Sequence, residues 1–294
     1  MIKLRFYFII CFWANLLFSQ VYSSSPDVLM VFKTIDYESY VGSLISEGID
    51  STKIKTYTGE KITFHNSEIL HAYPFTGRIK NRKIQKRDPN SSFYIFSPSA
   101  FPIDKGNLFC RDFCLFFPSV NYGLANIVSA QAGIFWYPGL DFDEIPYVGN
   151  LKITILETNL LSIAGGFTYI KLPEIQKERI LSTGFGFITG TMGNRYNHFS
   201  ITAGWGYIQK EPDWDLDDKP IIVAAGNLRL FSTVSLISEN WFFPDEDLED
   251  SILTTVLRIF GRQIAVDLGL AFSVSSNKEN IAPIPIANVT YLLR

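Results

Sequence analysis

The residues able to do chemistry are few and lie scattered in long neutral stretches. Arg111, Lys152, Glu157, Arg229, Glu239, Arg258 and Asp267 carry charges of both signs inside segments otherwise made of apolar residues, glycine, serine and threonine. Such charges either pair into an internal salt-bridge network that packs the interior, or line a polar constriction through which small solutes pass. Arg111 stands beside Asp112, and neighbours on a regular strand point to opposite faces, so the strand there is bulged, offset or ends nearby. A second group, Arg78, Lys80, Arg82, Lys83, Lys86 and Arg87, places six cations in ten residues without an acid. It reads as a solvated connector, or as a contact for an anionic envelope partner such as lipid head groups.

Other chemistries find little support. His65, His71 and His198 form no metal-ligand spacing with Cys110 or Cys114. Those two cysteines, four apart on a strand, lie roughly 13 Å from each other, beyond the reach of a disulfide. No Gly-x-Ser-x-Gly, His-Glu-x-x-His or phosphate-loop pattern occurs. His198 and Ser200 share one strand face, the nearest approach to a hydrolytic pair, and lack a third member. Neither an enzyme nor a cofactor is expected. The acidic runs Glu211, Asp213, Asp215, Asp217, Asp218 and Asp245, Glu246, Asp247, Glu249, Asp250 lack the alternating ligands and turn glycine of a calcium loop. They read as solvated loops.

The elements that carry these residues are strands. In Gln263–Ser273, Ile264, Val266, Leu268, Leu270 and Phe272 alternate with Gln263, Ala265, Asp267, Gly269, Ala271 and Ser273. One face is wholly apolar, the other small or polar, and the length suits a transmembrane strand of about 9–11 residues. Lys3 and Arg5, the apolar run Phe6–Phe18 and the small residues Ser19–Ser25 have the layout of an export signal, assigned to residues 1–24. The chain is 47% hydrophobic and 19% charged, which excludes disorder. Beyond the export segment no run of 18 apolar residues appears, so helical spans are not expected. An exported, apolar-rich chain of this kind is a soluble secreted β protein or an outer-membrane barrel. The export segment and the net charge of −3 both argue against nucleic acid as a partner.

Twelve candidate strands follow: 93–97, 108–122, 127–137, 147–157, 160–172, 180–191, 198–209, 220–231, 234–242, 252–260, 264–274 and 282–293, with ten as the alternative count. Their connections alternate between short and long, as in membrane barrels with short periplasmic turns and longer external loops. An even count places both termini in the periplasm. The inner face is read as mostly Gly, Ala, Ser and Thr, with Phe185 and Phe187 on the outer face. Trp136, Tyr137, Tyr169, Tyr207, Trp241 and Phe242 near strand ends are read as interfacial girdles in contact with outer-membrane lipid.

Residues 25–72 form a separate unit. Its text Val31-Phe32-Lys33-Thr34, Tyr40-Val41-Gly42, Lys53-Ile54-Lys55-Thr56 and Gly59-Glu60-Lys61-Ile62-Thr63 resembles small SH3-like or LSm-like β units of bacterial envelope proteins, which implies a periplasmic five-stranded half-barrel. Residues 73–91 are the basic linker, and 92–294 the barrel. Over that last span, Asp88-Pro89-Asn90-Ser91, Phe96-Ser97-Pro98-Ser99-Ala100, Leu115-Phe116-Phe117, Asn121-Tyr122-Gly123-Leu124, Ser238-Glu239-Asn240-Trp241 and Arg258-Ile259-Phe260-Gly261 are similar to uncharacterised envelope proteins of Gram-negative bacteria. The resemblance implies an outer-membrane barrel served by the barrel-insertion machinery. Such barrels usually end in an aromatic residue, whereas this chain closes Tyr291-Leu292-Leu293-Arg294. The leading expectation is a passive pore or transport-like barrel for small polar solutes. The alternatives are a non-conducting structural barrel that engages an envelope partner through its periplasmic unit, and a soluble secreted protein.

Overall fold

A computed structural model describes residues 28–293 apart from 37, 76, 81–82, 137–138, 140–144, 173–179, 211–212, 244–250 and 275–282. The export segment, Arg82, Glu211 and the acidic residues at 245–250 lie outside the described residues. The chain divides into two compact units, which part between Arg87 and Asp88.

The first unit is a small antiparallel sheet of β1 (Leu29–Thr34), β2 (Ser39–Glu47), β3 (Ser51–Thr56), β4 (Lys61–His65) and β5 (Ile69–Pro74), in the order β4-β3-β2-β1-β5. Strict alternation along β3 buries Thr52, Ile54 and Thr56, and Ile54 joins Phe32 and Phe64 in the core. A one-turn 3-10 helix, Asn66–Glu68, precedes β5, with Glu68 accepting the His65 amide at 2.9 Å. That turn lets β5 return to the free edge of β1. The basic stretch pairs as a short hairpin of β6 (Arg78–Lys80) and β7 (Lys83–Gln85), in which Arg78 Nε donates to Gln85 Oε1 at 2.6 Å.

The second unit is a closed antiparallel barrel. Its twelve strands are β8 (Leu108–Phe113), β9 (Phe117–Gly123), β10 (Val128–Ile134), β11 (Tyr147–Glu157), β12 (Leu161–Lys171), β13 (Ile180–Asn194) and β14 (Asn197–Lys210), then β16 (Ile221–Phe231), β17 (Val234–Phe242), β18 (Ser251–Phe260), β19 (Ile264–Val274) and β20 (Pro283–Leu293). A three-residue strand β15 (Trp214–Leu216) folds back on β14. Each strand pairs with its neighbours in the chain, and β20 pairs with β8 to close the ring. Closure leaves no long open edge, which is what a hydrocarbon environment demands of a sheet.

Outward positions carry exposed Leu151, Ile153, Phe167, Ile188, Ile201, Leu257 and Leu268, while their neighbours on the same strands are buried serines, threonines and charges. An apolar exterior around a polar interior marks a membrane-spanning barrel, not a soluble one. Among the described residues no helix is long and apolar enough to cross a membrane. An aromatic group decorates the exterior near the long connections. Phe167 stacks on Tyr207 at 5.3 Å, Trp214 lies 5.4 Å from Tyr207, and Tyr147 pairs with Tyr169 at 6.3 Å. Gly184 permits this, because a Cβ there would come within 2.8 Å of the Tyr207 ring.

Two expected strands differ. Residues 93–97 form no strand of the wall. The long run 108–122 breaks into β8 and β9, turning at Cys114 and Leu115, which hold positive φ angles of 54° and 66°. The register of β13 also inverts one expectation. Phe185 pairs with Thr168 and Phe187 with Gly166, both on the inner face of β12, so these phenylalanines point into the barrel. Phe187 takes the room left by Gly166, whose Cβ would lie 2.3 Å from its ring.

Candidate functional site

The lumen is occupied by the chain itself. Residues 88–104, just ahead of β8, run inside the barrel, and Asp88, Asn90, Tyr94, Ser99 and Ala100 are at most 1% exposed. The sequence folds this way because it has short polar side chains and prolines where a strand would need continuous N–H donors. Asp88 Oδ1 accepts the Asn90 amide, the Tyr94 amide donates to the Ser97 carbonyl, and Ser99 ties back to Ser91 and Ser92. The result is a compact loop closed on itself, which needs little from regular secondary structure.

Two buried charges of opposite sign on neighbouring strands hold its backbone. Arg258 on β18 donates through Nε and Nη2 to Asp267 of β19 at 2.6 and 2.9 Å, and through Nη1 to Asp88 at 3.1 Å. Its remaining donors meet the carbonyls of Asn90, Phe93 and Tyr94. On the neighbouring strand β17, Glu239 accepts the consecutive amides of Ile95, Phe96 and Ser97 at 2.9–3.2 Å, the Ser97 hydroxyl at 2.9 Å and Trp241 Nε1 at 2.8 Å. Three successive N–H groups round one carboxylate form an anion nest, here with the anion supplied by the wall. A cation thus takes the loop's carbonyls while an anion takes its amides. Each charge is compensated by directed hydrogen bonds, the condition for ions to survive burial.

Further contacts complete a ring. Lys152 Nζ on β11 donates to the Ser99 and Phe101 carbonyls, both at 2.7 Å, and Thr154 donates to the Ala100 carbonyl. Thr191 of β13 accepts the Ala100 amide and Ser129 of β10 accepts that of Ile103. Phe93 packs on Phe109 of β8, and Phe96 on Phe117 of β9. Tyr94 bonds Ser200 of β14, while Tyr94 and Ile95 join Ala225, Ile237, Val256, Ala271 and Ile286 of β16 to β20 in one apolar cluster. Direct contacts of the loop thus reach eight strands, and the shared apolar cluster extends to β16, β19 and β20.

The seven expected lumen charges are placed as follows. Lys152, Glu239, Arg258 and Asp267 are inward, at most 2% exposed, and engage the loop or one another. Arg111 is buried with its guanidinium 5.2 Å from the Phe93 ring. Arg229 is buried nearer the short connections, 4.2 Å over Phe260 and donating to the Ser232 carbonyl. Glu157 stands apart: it is exposed and meets Arg195 at 3.4 Å at the short-connection end. Asp112 faces outward, because β8 alternates regularly there and its neighbour Arg111 is buried inward. Trp241, expected in the outer girdle, points inward and packs on Phe96 at 6.1 Å. His198 and Ser200 do not meet as a pair. His198 Nδ1 contacts the Asn194 carbonyl, its ring lies against Tyr94 and Phe101, and Ser200 bonds Tyr94 and Thr191. Among the described residues no cluster of His, Cys, Asp or Glu could hold a metal ion.

Tyr94→Phe gives a measure of how the loop's bonds are shared. Ser200 keeps Thr191 as a partner when the phenol is removed, so only one net hydrogen bond is lost. A stability loss of about 1 kcal/mol is expected, read as a small drop in the urea midpoint of the folded band on unheated gels.

No protein-family model matches the chain, and no curated protein matches it. Solved structures resembling it include the KdgM porin, with 8% identity and TM-score 0.43 over 64% of this chain and 98% of that one. The NanC porin gives 7% identity and TM-score 0.42 over 64% and 99%. Outer-membrane expressed OmpT of Vibrio cholerae gives 9% and 0.36 over 93% and 100%. Likenesses of this size transfer no solute and no residue role.

Proposed function

We propose that the protein is an outer-membrane, porin-like barrel held closed by its own luminal loop, a gated rather than permanently open route for small polar solutes. The observation that supports this is the use made of the inward polar groups. Lys152, Thr154, Thr191, Glu239 and Arg258 spend their hydrogen bonds on residues 88–104 or on wall partners, which leaves them unavailable to solute. These contacts are polar and non-covalent, so they are reversible in a way that a wall of packed aliphatic side chains is not.

The barrel begins and ends on its short-connection side, and we place that side, with the N-terminal unit, in the periplasm. The luminal loop continues directly from that unit through the basic hairpin, so a partner engaging either has covalent access to the gate. This observation favours a second role, the engagement of an anionic envelope partner through Arg78, Lys80, Arg82, Lys83, Lys86 and Arg87.

The test is single-channel recording of the refolded full chain in a planar bilayer, after a gel shift on heating has confirmed folding. The wild-type barrel is expected to be silent for most of the record, with rare openings. Steady, salt-dependent conductance from every inserted wild-type molecule would discard the closed state.

A further inference from the structure

One sector of the wall is too short for a bilayer. β8, β9 and β10 have 6, 7 and 7 residues, against 15 and 14 in β13 and β14. The last residue of β8, Phe113, pairs with Asn288, and β20 runs on for five more residues, Pro283–Ala287, which among the described residues pair with β19 and meet the hairpin only through the Ala287 carbonyl. Five residues at about 3.4 Å each, tilted near 40°, put the hairpin tip about 13 Å below the rim, well inside a hydrocarbon core of about 25–30 Å.

The open edge is a built feature. The Ala287 carbonyl accepts the Cys114 amide, whereas the Leu292 amide donates to Gln263 of the β18–β19 turn. Odd residues of β20 therefore turn their backbone groups toward β8. The two odd positions beyond the hairpin are Pro283 and Pro285, which have no N–H to leave unpaired.

The outer surface of this short sector is a groove of about 700 Å³ lined by Cys110, Val120, Ala132, Ile134, Val289 and Tyr291, with Asp112 beside them; Arg111 also borders it, with its guanidinium turned inward, 5.2 Å from the Phe93 ring. Asp112 pairs across the strands with Val289 and Pro118, and its Oδ1 is buried without a hydrogen-bond partner among the described residues. Above it the hairpin tip is apolar, with Leu115 70% and Phe116 52% exposed. A carboxylate at membrane depth is expensive unless something pairs with it. The occupant must bring an apolar body for the groove and a cationic donor for Asp112.

We infer that this groove holds one amine-bearing phospholipid, its acyl chain along Val120 and Ala132 and its ammonium on Asp112. The inference rests on the barrel spanning a membrane and is independent of whether the lumen conducts. To test it, the full-length protein is purified in detergent, stripped of lipid and offered phosphatidylethanolamine or phosphatidylglycerol with identical acyl chains. Native mass spectrometry then counts retained molecules. The wild type is expected to retain one phosphatidylethanolamine at least tenfold more than phosphatidylglycerol. Asp112→Asn should erase that preference, and Val120→Trp, which fills the groove from a lipid-facing position, should abolish retention of both. Equal retention by the wild type, retention of neither, or a preference that survives both substitutions would overturn the proposal. A dimer mass without lipid would overturn it in favour of a second copy. If Asp112→Asn fails to fold, the Val120→Trp result decides alone.

Discussion

Arg258→Met should release the luminal loop while leaving the barrel wall standing. The substitution removes the cation from two buried carboxylates, Asp88 and Asp267, and strips the donors from three carbonyls. Breaking a buried pair by truncating one partner typically costs about 3–5 kcal/mol, because the remaining charges stay buried and uncompensated. The wall bears only the stranded Asp267, and β18 keeps its backbone ladders with β17 and β19. The loop should therefore loosen first. Thiol labelling at Ile95→Cys, with Cys110 and Cys114 replaced by serine, reads this directly. Labelling that takes many hours in the Arg258 background should finish within minutes in Arg258→Met. Adding Asp88→Asn and Asp267→Asn should recover most of the protection, because neutral partners bury far more cheaply than stranded carboxylates. Equal labelling in all backgrounds would mean that the triad does not hold the loop.

Much of the wall could be read from residue patterns, for identifiable reasons. From β11 onward, alternation of large apolar with small or polar residues is nearly unbroken, and the side-chain period of two fixes the inner and outer faces. The cost of a charge facing lipid pointed Asp267 and Arg258 inward as well. The count of twelve, however, rests on two differences that offset each other. Residues 93–97 have the aromatic and aliphatic content of a strand and lie in the lumen, while 108–122 contains a reversal at Cys114–Phe116 with none of the usual turn residues. A cysteine and a leucine at positive φ give no warning in sequence. The luminal loop itself was hidden because polar, proline-bearing text reads as a linker whether it is bathed in water or buried. The inward aromatics Phe187 and Trp241 escaped for a related reason. Trp241, near a strand end, fits an interfacial girdle equally well, Phe187 in mid-strand fits a lipid-facing position, and only the register assigns their faces. The unexplained quantity was the number of inward charges: such a set needs partners, and those on the wall alone are too few to satisfy it.

Glu239→Ala is expected to have the largest effect on conduction. Glu239 serves five donors and, among the described residues, forms no salt bridge, so its removal leaves the amides of Ile95, Phe96 and Ser97 buried without acceptors, together with Trp241 Nε1. Each buried donor left unmet costs about 1–3 kcal/mol, and three neighbouring ones cannot all be satisfied by local adjustment, because they point to one spot. Water must enter or the segment must move. Either outcome opens the half of the lumen where Phe96 packs against Phe113, Phe117 and Trp241. In planar bilayers the variant should pass from rare openings to conductance present for most of the record, with heat-shifted gel mobility unchanged. Glu239→Gln should fall between. Its carbonyl can still accept amides, while its NH2 group faces donors it cannot serve, so partial opening is expected. The order wild type, Gln, Ala in open time would tie the gate to the nest of amides. Open times indifferent to residue 239 would move the gate elsewhere, first to the carbonyls held by Lys152.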